Sequence, residues 1–136
     1  MNGKFAISVV VMFVVTMALG FVVHGLLLGQ DYAQLAGMFR TEQDQMGYFP
    51  YMLLAHVFLA AGFVWIYLQG RTGKPWLGQG IRFGIAVAVM VTVPGYLIYY
   101  AVQPLPGMLV AKQIVFDSVS YLVMGIVVAW LYRQPA

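Results

Sequence analysis

The sequence predicts an all-α integral membrane protein, a four-helix bundle with both ends on the cytoplasmic side (N-in/C-in). Three observations carry that prediction. Four apolar runs each reach the roughly 20 residues that a helix needs to cross a bilayer. Only 8% of the 136 residues are charged and 62% are hydrophobic, whereas a soluble domain has about 25% charged residues and about half apolar ones. Five of the seven basic residues fall on one side once the runs are threaded back and forth. A chain this short could not bury so much apolar surface in water, because small domains leave a large share of it exposed. Lipid removes that requirement.

The first helix is expected at 5–28. Lys4 ahead of an apolar run resembles a secretory leader, but a leader's apolar core is only about 7–15 residues and no A-x-A-like site follows. A retained helix is therefore expected. Thr16, Gly20 and His24 recur on it at steps of four, a row of mostly small residues that lets a neighbouring helix approach. The connector 30–47 is polar, with Asp31, Arg40, Glu42 and Asp44. Within it Tyr32, Leu35, Met38 and Phe39 share one face at helical spacing. This predicts a short amphipathic segment lying in the interface, with Asp31 as its N-cap. A plain polar loop is the alternative.

The second helix is expected at 48–68, with His56 and Ala60 on one row, and a Gly-rich basic connector, 70–80, follows. The third is expected at 81–102 and contains Pro94. The fourth, at 108–132, begins after Gln103-Pro104-Leu105-Pro106-Gly107, whose two prolines stop one helix and start the next. The runs lack the period-two alternation of barrel strands. All of 1–136 reads as a single transmembrane domain.

Orientation follows from the basic residues. With the N-terminus inside, the inner side holds Lys4, Arg71, Lys74, Arg82 and Arg133, and the outer side Arg40 and Lys112. Trp65, Trp76 and Trp130 fall at the inner interface. Tyr48, Tyr51, Tyr99 and Tyr100 mark the outer one. The formal charge of +3 comes from these flanking residues and forms no basic stripe, so no nucleic-acid partner is expected.

An ionisable side chain inside a membrane is costly and marks a functional hypothesis. His24, His56 and Asp117 qualify. At a rise of about 1.5 Å per residue they lie roughly 6, 12 and 13 Å below the outer surface. Tyr96 follows Pro94 and Gly95 in the same layer. Gln113, Asp117, Ser120 and Tyr121 make one polar stripe on the fourth helix. The candidate ligand or proton site is thus His24, His56, Asp117, Tyr96, Tyr121 and Gln113, with His56 and Asp117 expected in one cluster and His24 at its rim. The plainer reading is interhelical hydrogen bonding alone. Arg71, Lys74 and Arg82 are candidates for contact with anionic lipid head groups, or simply topology signals. The nine methionines are dispersed and read as packing filler.

Several stretches are distinctive: Leu27-Leu28-Gly29-Gln30-Asp31-Tyr32, Lys74-Pro75-Trp76-Leu77-Gly78-Gln79-Gly80-Ile81-Arg82-Phe83-Gly84, the Gln103–Gly107 turn, and Ala129-Trp130-Leu131-Tyr132-Arg133. With them the chain resembles a family of small uncharacterised bacterial four-helix inner-membrane proteins. That resemblance implies a multi-pass protein of the bacterial inner (cytoplasmic) membrane. It carries no known activity and no functional residues.

Three function classes compete. The first is a non-enzymatic accessory or assembly subunit, packing with a larger membrane partner or as a homodimer. The second is a carrier of haem b or a metal on His24 and His56, against which the difference in depth counts. The third is a small proton-linked transporter using Asp117, although the inverted repeats of transporters are not evident. No enzyme is expected, since there is no nucleophile beside a base, no H-E-x-x-H and no glycine-rich phosphate loop. The absence of cysteine excludes thiolate-ligated metals and c-type haem.

Overall fold

The structure, a computed structural model, describes residues 2–133. Among these residues the chain is all-α, without a strand. In chain order the helices are α1 (Gly3–Leu27), α2 (Gly29–Ala33), α3 (Glu42–Gly70), α4 (Trp76–Val102) and α5 (Gly107–Leu131). All but α2 are long and apolar enough to cross a membrane.

Two helices begin earlier than hydropathy indicates, because hydropathy marks an apolar stretch and not a helix end. α3 starts at Glu42 instead of 48. The Thr41 hydroxyl accepts from the Asp44 backbone N–H at 3.2 Å, and Arg40 holds the Asp44 carboxylate at 2.9 Å. Glu42 and Asp44 occupy the first turn, where the positive end of the helix dipole favours acids. α4 starts at Trp76 instead of 81, directly after Pro75. The Gln79 side chain ties down the preceding loop, donating to the carbonyls of Thr72 and Lys74 and accepting from the Thr72 N–H.

The amphipathic segment is shorter than expected. α2 stops at Ala33, and the turns beyond it include Gly37 at a φ of 97°, a left-handed conformation that glycine tolerates best. Tyr32 and Leu35 pack against Val23, Leu28 and Leu109, whereas Met38 and Phe39 stay exposed. Asp31 does not cap this helix. Leu28 holds the cap position, and Asp31 instead reaches across to the Lys112 ammonium at 2.9 Å.

The bundle is closed at the end carrying the Gly70–Gly80 loop and open at the other. α4 and α5 meet backbone to backbone. A Cβ added to Gly84 would lie 2.6 Å from the Tyr121 carbonyl oxygen, and one on Gly80 would lie 2.6 Å from that of Gly125. This is a small-x-x-x-small contact. Met12 of α1, Ala60, Phe63, Val64 and Tyr67 of α3, and Met124, Val128 and Ala129 of α5 complete the core. The Phe83 ring closes it by edge contacts with Phe63 (4.7 Å) and Tyr67 (5.4 Å). Towards the open end the first turns of α3 leave the bundle, and residues 41–52 are all exposed.

Two helices widen where the site lies. Phe21–Leu27 of α1 is wound as a π-helix, and the Leu28 N–H donates to the Val23 carbonyl five residues back at 2.9 Å. In α4 the π-type turn Ala88–Thr92 immediately precedes the segment that carries Pro94 in its first turn. Proline lacks the N–H that a regular helix would use there, and a wide turn accommodates the gap.

Candidate functional site

The divergence of α3 leaves a groove of about 910 Å³ between α1, α3 and α5. The Thr16, Gly20 and His24 row of α1 faces it, with Glu42, Phe49 and His56 from α3 and Asp117, Ser120 and Tyr121 from α5. Four methionines, Met17, Met46, Met52 and Met124, line its apolar parts.

A hydrogen-bonded chain borders this groove. The Gln113 amide donates to the Tyr32 hydroxyl at 3.1 Å. The Tyr32 hydroxyl lies 2.7 Å from His24 Nδ1. His24 Nε2 lies 3.3 Å from Asp117 Oδ1, and the Tyr96 hydroxyl donates to Asp117 Oδ2. The polarity is consistent along its length for a neutral imidazole and an ionised carboxylate: Tyr32 donates to Nδ1, Nε2–H donates to Asp117, and Tyr96 supplies the second oxygen. Gln113 is 6% exposed, and its carbonyl oxygen is buried without a partner. That atom gives the chain a second arrangement. If His24 takes a proton at Nδ1, it donates to the Tyr32 oxygen. Reversal of the Gln113 amide then offers its carbonyl to the Tyr32 O–H. The network can thus accept a proton without losing a contact. Burial holds the Tyr32 hydroxyl above its ordinary range, so it stays a donor at neutral pH.

His56 stands apart from this chain. Its Nδ1 is 2.8 Å from the Met52 carbonyl, which can only accept, so Nδ1 carries a proton and, in the neutral ring, Nε2 presents a lone pair. A Cβ on Gly20 would lie 3.5 Å from that nitrogen. His56 and Asp117, expected in one cluster, both border the groove, but the histidine that meets the carboxylate is His24, which the sequence places only at the rim. Tyr121 borders the groove and stacks on Phe63 at 6.3 Å, without touching Asp117 through a hydrogen bond. A metal or haem iron on His24 would have to displace Tyr32 or Asp117, since both ring nitrogens are engaged. Among the described residues no three His, Cys, Asp or Glu side chains form a metal-holding group.

Arg71, Lys74 and Arg82 lie at the opposite, closed end. The Arg71 guanidinium sits 5.4 Å from the Tyr132 ring, and the Lys4 ammonium lies 5.0 Å from the same ring. Sequence reasoning misses four participants: it places Tyr32 on an apolar face, Glu42 in a loop, and Gly80 and Gly84 only in a distinctive stretch. The four-residue spacing of the two glycines is a signal that could have found the α4–α5 contact. Nothing in the sequence marks Tyr32 as a partner of His24.

The chain belongs to the DUF1761 family, described as a protein of unknown function, whose family model matches residues 7–129. No curated protein and no solved structure matches it.

Proposed function

We propose that this chain is a non-enzymatic, multi-pass protein of the bacterial inner membrane, N-in/C-in, that binds a small amphipathic molecule in the groove. The His24–Asp117 pair is its polar anchor and exchanges a proton as the ligand comes and goes. The observation that carries the reading is the groove itself, bordered by a carboxylate–imidazole–phenol chain. Its volume of about 910 Å³ falls in the range of small-molecule sites, roughly 300–1,000 Å³, which are apolar with a few convergent polar groups.

Magnitudes favour a working site over structural glue. A carboxylate near the bilayer centre costs about 2.5–3.5 kcal/mol on insertion scales. Interhelical hydrogen bonds in membranes return about 0.6 kcal/mol each on average. The four contacts of the chain therefore return about 2–3 kcal/mol, close to the cost of the one carboxylate. Net stability does not account for retaining it.

The orientation is supported by the clustering of Lys4, Arg71, Lys74, Arg82 and Arg133 at the closed end. Those cations, three of them near the aromatic rings of Tyr132 and Trp130, suit anionic head groups. The groove then opens towards the outer side. A second reading, the accessory or assembly subunit, is favoured by the exposed outer part of α3, where Met46 is 79% and Tyr51 70% exposed. A larger membrane partner or a second copy could cover that surface.

Native mass spectrometry of protein extracted gently from its own membranes tests the ligand-binding reading. The wild type should carry a small-molecule adduct that is depleted in Asp117→Asn, a change of almost no volume. Identical spectra for the two proteins, with or without an adduct, would overturn it.

A further inference from the structure

We infer that the ligand of this groove is a lipophilic cation, a protonated or quaternary amine on an apolar body. The inference rests on the ligand-binding reading above and adds the charge and class of the molecule.

Charge bookkeeping at the open end carries it. Four acids and two basic residues lie there. Arg40 pairs with Asp44 at 2.9 Å and Lys112 with Asp31 at 2.9 Å. The two remaining acids, Glu42 and Asp117, both border the groove. Among the described residues no Lys or Arg borders it. The imidazoles of His24 and His56, also on its lining, carry no permanent charge. The groove therefore holds two carboxylates without a fixed cation, one at its exposed mouth and one 18% exposed at its wall. An anion would meet both, whereas a cation would gain from both.

The apolar lining selects the same class. Phe21, Phe49 and Tyr121 put three aromatic rings on the lining, and aromatic rings attract a desolvated cation. The methionine thioethers are polarisable and adapt to irregular shapes. A compact, strongly hydrated ion would lose its water shell to such walls and gain little. A bulky organic cation is weakly hydrated, and its apolar body fills the remaining volume.

The test uses two probes of the same shape and opposite charge, tetraphenylphosphonium and tetraphenylborate, titrated calorimetrically into the full-length protein in lipid nanodiscs, with empty nanodiscs as the blank. The phosphonium should bind saturably. Asp117→Asn should weaken it by about tenfold, the loss of one close charge contact, and Glu42→Gln by a smaller, salt-sensitive factor. Glu42 is exposed, so that variant keeps the test open if Asp117→Asn fails to fold. Saturable binding of the borate with equal or greater affinity overturns the cationic class and leaves the groove as a binding site. Saturation by neither ion overturns both. Phosphonium binding that neither substitution changes overturns the assignment to this groove.

Discussion

Replacing Gly84 with alanine should destabilise the fold although alanine is the better helix former. The new Cβ would sit 2.6 Å from the Tyr121 carbonyl oxygen and 2.7 Å from the Leu122 Cα, where ordinary contacts begin near 3.4 Å. The shortfall is 3.4 less 2.6, or 0.8 Å. Both obstructing atoms are backbone, so the relief must come from moving α4 away from α5. A radial gap of about 0.5–1 Å forfeits a quarter to a half of the dispersion well, and it opens along a seam that also contains Gly80, Gly125 and Ala129. Overpacking of this kind costs about 1–3 kcal/mol. The propensity gain of Gly to Ala offsets at most about 1 kcal/mol. With the full offset the net loss is up to about 2 kcal/mol, and against a glycine-to-alanine change in open space it is about 1–3 kcal/mol. The assay is reversible unfolding in mixed maltoside and dodecyl sulfate micelles, followed by helicity. Gly62→Ala is the control, because a Cβ there meets nothing within 4 Å and should be neutral or stabilising. If Gly84→Ala proves as stable as Gly62→Ala, the close-contact reasoning is wrong.

Two further predictions concern orientation and pH. Reporter domains fused after Gln45 and after Gly73 should report opposite sides, the second cytoplasmic; the same side for both, or the reverse assignment, refutes N-in/C-in. Burial raises the Tyr32 hydroxyl above its ordinary 10.0. A group raised in the folded state contributes stability that is whole below the unfolded value and is lost as pH rises through the folded one. The stability difference between wild type and Tyr32→Phe should therefore be constant from pH 8 to about 9.5 and shrink above pH 10. A difference that does not change up to pH 11 refutes a native-state role for that proton.

How much was legible in the sequence differs between the axial and the angular coordinate of each residue. Axial position is counted at about 1.5 Å per residue, and apolar run length bounds it. Four helices long and apolar enough to span follow from that count, as does one layer for Tyr96 and Asp117, but the count sets His24 about 7 Å shallower than Asp117, which it meets directly. Helix ends followed less well, because Thr41 capping and Pro75 set them outside the apolar windows. Angular position depends on winding, and winding changes where Phe21–Leu27 and Ala88–Thr92 open into π turns. Each such turn re-phases the residues that follow a regular 3.6-residue count. His24 lies inside the first and Tyr96 just beyond the second, and the row of Thr16, Gly20 and His24 still faces the groove as its spacing predicts. His56 lies in the regularly wound α3, and a wheel places it facing α1, where it meets Gly20. It does not reach Asp117, because α3 is diverging from α5 at that level. The two positions where regular winding fails are the two that supply Asp117 with its partners. Wide turns of this type cost backbone regularity and occur often at functional sites. Their convergence on one carboxylate, from α1 and from α4, is a further reason to read Asp117 as the centre of a working site. The α4–α5 seam shows the opposite case. The spacing of Gly80 and Gly84 was present in the sequence, and no change of winding separates them, so regular helical geometry suffices to bring both against α5.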